Sequence, residues 1–343
     1  MSDFARVLGV AGWQGSGKTT LLERLVPTLV AEGLSIIVLK HDAHGLAFDV
    51  AGKDSDRLFR AGAEVVVDAP AERFARSRRA AGEPLALRLR ELQGRCDVVL
   101  VEGGKREAHP KVWLLRPGEE TPPAEVSEVL AVLPWDGDRV GFLRELVRRR
   151  LAEAWAQAPR RVGVLVGGAS TRMGTPKQWL KVAGETLLDR VAEALESAGP
   201  LSLLGGDPAD ALRSQRVAAT HLPDAPDVRG PLAGILAALR WHSVSWVIAS
   251  CDLPHLRAEA VEWLLAQREP GRWAVLPRVG GIVQPLLAVY EPQALPMLEA
   301  IAAAGALGPS RLEGQPHVAT PEPPPELADC WRGVNTPQEL AEL

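Results

Sequence analysis

The stretch from Val162 to Leu180, VGVLVGGASTRMGTPKQWL, constrains the fold more than any other part of the chain. It opens with Val162-Gly163-Val164-Leu165-Val166, an apolar, β-branched run of the length expected for a buried central strand. The run stops at Gly167-Gly168, where the backbone is free to turn sharply and leave its N–H groups uncovered. Ser170, Arg172 and Lys177 follow. Amide donors and two cations therefore converge where a strand ends, which is where open α/β sheets bind their ligands. A Gly-rich turn with solvent-facing charges is the plainer reading of Gly-Gly alone. Arg172-Met173-Gly174 with Lys177 close behind favours a polyanion cradle.

With 343 residues the chain exceeds one ordinary core and fits two domains. A hydrophobic content of 46% beside 24% charged residues is that of globular protein. The net charge of −4 and the absence of a dense basic run argue against nucleic-acid binding; Arg149-Arg150 and Arg160-Arg161 read as solvated helix-end charges. Cys96, Cys251 and Cys330 form no CxxC pair, so neither a zinc knuckle nor a disulfide framework is expected, and a reducing, cytoplasmic setting is. No signal peptide or membrane span is expected either, since no apolar run approaches the length needed. Arg is the default cation here. Only Lys18, Lys40, Lys53, Lys105, Lys111, Lys177 and Lys181 are lysines, and most of them fall in stretches that read as phosphate sites on other grounds.

Near the N-terminus an apolar strand, Ala5 to Trp13, runs into Gly12-Trp13-Gln14-Gly15-Ser16-Gly17-Lys18-Thr19. This is the P-loop pattern G-x-x-x-x-G-K-[ST], with Thr20 following. Its glycines free backbone N–H groups to cradle phosphate, its lysine reaches the terminal phosphates and its threonine ligates Mg²⁺. The following helix presents Leu21, Leu22, Leu25, Val26 and Leu29 on one face, and Pro27 predicts a kink or an early stop. A second strand, Leu34 to Leu39, ends at Lys40-His41-Asp42-Ala43-His44. Transition-metal binding by the two histidines is the weaker reading, because the H-E-x-x-H helix spacing is missing. Asp49, Lys53 and Asp54 suit either a loop over the nucleotide's Mg²⁺ and γ-phosphate or a polar surface loop. Cys96 to Val101 reads as a buried parallel strand ending on Glu102, a candidate for the second acid that orients the Mg²⁺ shell. Strands at Lys111–Leu115 and Val126–Leu133 precede a helix from Asp138 to Gln157, with Phe142, Leu143, Leu146, Val147, Leu151 and Trp155 as its core face. Ala158-Pro159 is the domain boundary.

In the second half a helix is expected at Thr186–Leu195, a strand at Leu201–Leu204 and a helix at 235–241. His221-Leu222-Pro223-Asp224 leads into Gly230-Pro231-Leu232-Ala233-Gly234, where glycines permit close approach of a base or ribose and Asp224 can accept from its edge. An Asp that merely opens a turn is the alternative. Trp246 to Ser250 reads as a strand ending at Cys251-Asp252, and Asp252 is the candidate metal ligand.

These motifs resemble known families. The loop is similar to the nucleotidyltransferase signature L-x-(A/G)-G-x-S-x-R-M-G-x-x-K, and its Gly-Gly form is most similar to molybdenum cofactor guanylyltransferase. Sugar-phosphate and isoprenoid nucleotidyltransferases, and the cytidylyltransferase of the same cofactor, more often have Ala-Gly there. Gly-Pro-Leu-Ala-Gly at 230–234, Cys251-Asp252-Leu253-Pro254, Gln284-Pro285-Leu286 and Asn335-Thr336-Pro337 resemble further motifs of that family. Gly333 and Gly205 stand where relatives often carry Asn. Over residues 1–135 the P-loop, Lys40–His44, Gly52–Ser55, Ala61-Gly62-Ala63 and Val101-Glu102-Gly103 resemble the GTP-binding adaptor of molybdopterin-guanine dinucleotide biosynthesis; Gly104 replaces a common aromatic. The resemblance implies an α/β fold of two domains: a P-loop NTPase sheet in 1–158 and a Rossmann-like nucleotidyltransferase sheet in 159–343.

It also implies a reaction. GMP passes from GTP to the phosphate of molybdopterin, and pyrophosphate is released. Lys177, Asp252 and Arg172 carry the catalysis, with Leu165, Val166, Gly167, Gly168, Ser170, Asp224 and Gly230 around the nucleotide. Mg²⁺ falls to Asp252 and Asn335 in the second half, and to Thr19 and Glu102 in the first. The P-loop would bind GTP with weak hydrolysis. Partners implied are GTP, molybdopterin and apo-molybdoenzymes, with no nucleic acid and no membrane; a homodimer stays open. The alternative is another nucleotidyltransferase, using CTP or a sugar phosphate, fused to a P-loop kinase or binding module.

Overall fold

The computed structural model describes residues 4–41, 49–78, 83–167, 176–207, 220–334 and 336–341. Its first half is built on β1 (Val7–Gly12), β2 (Ile36–Lys40), β5 (Val98–Glu102), β6 (Lys111–Leu114) and β7 (Val129–Leu133), all parallel in the order β2-β5-β1-β6-β7. Between β2 and β5 the chain forms α2 (Asp54–Arg60), a separate antiparallel hairpin of β3 (Val65–Asp68) and β4 (Arg73–Arg76), and α3 (Leu85–Gln93). One sheet face is covered by α1 (Lys18–Ala31) and α4 (Arg139–Gln157): Leu21, Leu22, Leu25 and Leu29 meet Leu143, Leu146, Val147 and Leu151 over Leu8, Val10, Val98 and Leu100. The other face packs Leu89 and Leu92 of α3 on Val7, Val99 and Val101.

Of the two outcomes expected at Pro27, the early stop does not occur: helix α1 runs on to Ala31. Pro27 lies on the exposed side, where water can satisfy the carbonyl its ring leaves unpaired, while the leucine face holds both halves of the helix to the sheet. Phe142 is 45% exposed and lies outside the core face predicted for α4.

The second half has a mixed sheet in the order β12-β11-β8-β13-β17-β14-β18. Its strands are β8 (Arg160–Leu165), β11 (Leu201–Leu204), β12 (Thr220–Leu222), β13 (Ser245–Ser250), β14 (Ala274–Val275), β17 (Leu287–Tyr290) and β18 (Val318–Ala319). Two small ribbons, β9 (Lys181–Val182) with β10 (Glu185–Thr186) and β15 (Arg278–Val279) with β16 (Ile282–Val283), flank it. From β12 to β13 the pairs are parallel; β17 runs antiparallel to both of its neighbours. Helix α5 (Leu187–Ala194) and helix Ala258–Ala266 bury Leu188, Val191, Val261 and Leu264 on one face. Helices Pro231–Trp241 and Leu295–Ala303 bury Leu232, Ile235, Leu236, Leu239, Leu298 and Ile301 on the other. The former starts at Pro231, ahead of the expected 235, because a proline in the first helical turn costs no hydrogen bond and presets the backbone.

The halves meet through built contacts. Asp97, fully buried, accepts from Ser35 N at 2.8 Å through Oδ2 and from Gly271 N and Trp273 Nε1, both at 3.1 Å, through Oδ1. Gln293 Nε2 donates to the Cys96 carbonyl at 3.2 Å. Asp97 immediately precedes β5, Gly271 and Trp273 precede β14, and the Ala158-Pro159 link enters β8. The joint therefore ties the starting ends of the two sheets.

Candidate nucleotide sites

In the second half β8 ends at Leu165, and Val166 still donates to the Leu204 carbonyl at 2.9 Å. Gly167 then takes φ +95, and a Cβ built on it would lie 2.9 Å from Gly206 N. Two glycine turns are thus in backbone contact, since Gly205 and Gly206 also have positive φ. A Cβ on Gly205 would lie 2.8 Å from Asp224 Oδ1 and 3.0 Å from the Val166 carbonyl oxygen, so a side chain here would crowd both. Next to β8, β13 runs in register, with Ser250 opposite Leu165, and delivers Asp252 to the same end of the sheet. Lys177, at a one-turn helix Lys177–Trp179, places Nζ 2.7 Å from Asp252 Oδ2.

Leu165, Val166, Gly167, Lys177, Asp224, Gly230 and Asp252 all line one cavity of about 390 Å³, with Ser250, Cys251 and Leu286. Seven predicted site residues are thereby brought together, from segments far apart in the chain. Gly168, Ser170, Arg172 and Asn335 lie outside the described residues. The chain just before Asn335 packs on the site, with Val334 N donating to the Asp252 carbonyl at 3.0 Å. Burial pushes the Asp224 carboxyl above its usual range, and the nearby His221 opposes that. His221 Nε2 donates to the Gly205 carbonyl at 2.9 Å and so braces the glycine turn. The Cys251 thiol, buried and beside Asp252, is pushed up to about 12 and stays protonated.

In the first half Gly15 and Gly17 adopt φ +79 and +83, and Gly17 caps α1 with its N–H groups exposed to the loop. Lys18 Nζ donates to the Gly12 and Trp13 carbonyls at 3.1 and 2.8 Å, and burial lowers its pKa against the opposing pull of Glu102. Thr19 Oγ1 donates to Glu102 Oε1 at 2.5 Å, so the predicted metal pair is in contact. Ser16 is fully buried and its hydroxyl has no partner among the described residues. Gly17 and Thr20 line an adjoining cavity of about 320 Å³ with Arg24, Trp135 and Arg139. Arg139 was not foreseen. Its NH1 donates to the Ser16 carbonyl at 2.9 Å and holds the loop from α4.

Among the described residues after β2, Asp49 and Asp56 are held by neighbouring side chains and backbone. Asp49 accepts from Ser55 Oγ and Arg76 NH1, both at 2.8 Å, and Asp56 accepts from Gly52 N and Arg76 NH1. The Gly52 amide and Arg76 hold the Asp56 carboxyl down at about 2. His41 Nε2 lies 3.9 Å from Glu107 Oε1, while His44 falls outside the described residues. No group of three or more His, Cys, Asp or Glu among the described residues could hold a metal ion. Nor is any described helix long and apolar enough to cross a membrane.

Two Gly-rich turns, each following a parallel strand and each beside a lysine and an acid, mark a two-domain α/β protein of the P-loop and nucleotidyltransferase classes. Residues 7–135 match the family described as molybdopterin guanine dinucleotide synthesis protein B, and residues 162–317 the MobA-like NTP transferase domain. The molybdopterin-guanine dinucleotide biosynthesis adapter protein of Haemophilus influenzae is 41% identical over 38% of this chain and 76% of that one. The molybdenum cofactor guanylyltransferase of Pseudomonas putida is 36% identical over 44% of this chain and 80% of that one. Among solved structures, molybdopterin-guanine dinucleotide biosynthesis protein A of Archaeoglobus fulgidus is 28% identical, with a TM-score of 0.45, covering 53% of this chain and 95% of that one. The first half of the chain belongs to the adapter family and the second half to the molybdenum cofactor guanylyltransferase family.

Proposed function

We propose that the chain makes the guanine dinucleotide form of molybdopterin: residues 159–343 transfer GMP from GTP to the cofactor's phosphate, and residues 1–158 bind GTP and assist the reaction or the cofactor's delivery. The observation that carries this is the single cavity in which Gly167, Lys177, Asp224, Gly230 and Asp252 meet. A terminal phosphate is already mostly dianionic near neutral pH, so its oxygen attacks the α-phosphorus without a general base. A new P–O bond forms there, and the bond to the bridging oxygen breaks. Pyrophosphate leaves with the electron pair. Two polyanions must be brought together for this, so the chain's contribution is positioning and charge. Backbone amides after β8 orient the triphosphate, Lys177 neutralises it, and Asp224 accepts from the base edge.

Mg²⁺ fits the donor set, because Asp252 offers a hard carboxylate oxygen at the cavity wall and phosphate oxygens and water complete such a shell. Bound there, it would neutralise the triphosphate and polarise the α-phosphorus. Arg172, Ser170, Gly168 and Asn335 are assigned to the same site by their motifs. Thr19 and Glu102 would hold a second ion over the P-loop. The product passes to apo-molybdoenzymes, and a homodimer is compatible with these roles. The test is an assay of pyrophosphate release with GTP, CTP and ATP, each against molybdopterin and a sugar phosphate. Turnover is expected with GTP and molybdopterin; preference for CTP or a sugar phosphate would replace the assignment.

A further inference from the structure

Lys105 follows Glu102 at the end of β5, past Gly103 and Gly104 at φ +93 and +61, which bend the chain back across the P-loop. Its Nζ lies 3.9 Å from the centroid of the Trp13 ring. Trp13 is a P-loop residue whose carbonyl receives Lys18 Nζ at 2.8 Å. Two ammonium groups therefore flank one loop residue, and Lys105 adds to the downward pressure on the Lys18 pKa that burial begins. Among the described residues no carboxylate pairs with Lys105. Arg116 also reaches the same ring, at 5.7 Å. The buried Ser16 hydroxyl without a partner lies in the same loop. Positive charge and an unsatisfied hydroxyl thus gather about the point where a P-loop places the last phosphate of its nucleotide.

We propose that Lys105 is a second cationic ligand for the terminal phosphate of a nucleoside triphosphate in the P-loop, with the Trp13 ring as its resting place. It would reach the nucleotide from the chain that follows β5, where a diphosphate, lacking the last phosphate, would leave it without a partner. This makes the first half select triphosphate over diphosphate. The inference rests on the P-loop reading, and the experiment separates the two.

The full chain carrying Lys177→Ala and Asp252→Ala, which silences the second site, is titrated calorimetrically with GTP and with GDP in the presence of Mg²⁺. Lys105→Gln in that background is expected to weaken GTP about tenfold, the scale of one charge-assisted contact, and GDP less than about twofold. Lys105→Arg should restore most of the GTP affinity, and circular dichroism should show an unchanged unfolding midpoint. Equal weakening of both nucleotides, or of neither, overturns the proposal. Lys18→Ala should abolish binding of both; if it binds like its parent, the P-loop reading itself fails and takes the proposal with it.

Discussion

Replacing Asp97 by Asn tests whether a buried carboxylate ties the halves together. In the native chain Oδ2 serves Ser35 N, while Oδ1 serves Gly271 N and Trp273 Nε1. An amide has one acceptor oxygen. Turned towards Gly271 and Trp273, it sets its own NH₂ against the Ser35 N–H, donor to donor; turned the other way, it strands two donors. The better orientation still leaves one buried donor unmet, at about 1.5–3 kcal/mol, and weakens the other bonds by about 0.5–1 kcal/mol each. Relief of the carboxylate's desolvation returns part of this, so a net loss of about 3 kcal/mol is expected. At about 2–4 °C per kcal/mol, the calorimetric transition of the full chain should fall by about 6–12 °C, with the halves melting apart. Trp273→Phe keeps the stack on His317 and removes one bond, so its loss should be smaller and should not add fully to that of Asp97→Asn. A fall of less than about 2 °C for Asp97→Asn would refute the reasoning.

Other outcomes follow from the same geometry. Lys177→Ala or Asp252→Ala should abolish pyrophosphate release while the circular dichroism spectrum is retained, since both side chains face the cavity and not the core. Gly167→Ala should remove activity as well: its φ of +95 disfavours a side chain and its Cβ would press on Gly206 N at 2.9 Å, so GTP protection against thermal unfolding should vanish at the second site. His109 is buried, and burial holds its imidazole at about 4 against the usual 6.5. The unfolded chain therefore binds a proton that the folded chain refuses. Stability should fall as pH drops from 6.5 to 4, by about 3 kcal/mol in all, and His109→Leu should flatten that slope in urea titrations at successive pH values.

What could be read from the chain was what local pattern encodes. Gly-rich loops after apolar runs marked both candidate phosphate loops, and acids ending strands marked Glu102 and Asp252 as candidate ligands. Parallel strands in register then carry such ends to one edge, which is why Thr19 meets Glu102 and Lys177 meets Asp252 across long separations. Contacts set only by tertiary packing stayed hidden. Arg139 reaches the P-loop from α4 by a bond 123 residues long in sequence, and no motif marks it. Asp97 read as part of a strand because two of its three partners, Gly271 and Trp273, lie in the other half. The β3–β4 hairpin exposes Val66, Val67 and Phe74, so it lacks the alternating burial that announces a strand. Phe142 matched helical spacing, but spacing alone does not say where an apolar stripe stops.

Because Asp97 and Trp273 fasten the sheets by their starting edges, each Gly-rich loop lies at the end of its sheet away from that joint. Strand β5 runs roughly 17 Å and β8 roughly 20 Å from the joint's edge of its sheet to the loop's edge. Each loop is therefore reached from its own sheet's far edge, and the joint itself lies on neither nucleotide path.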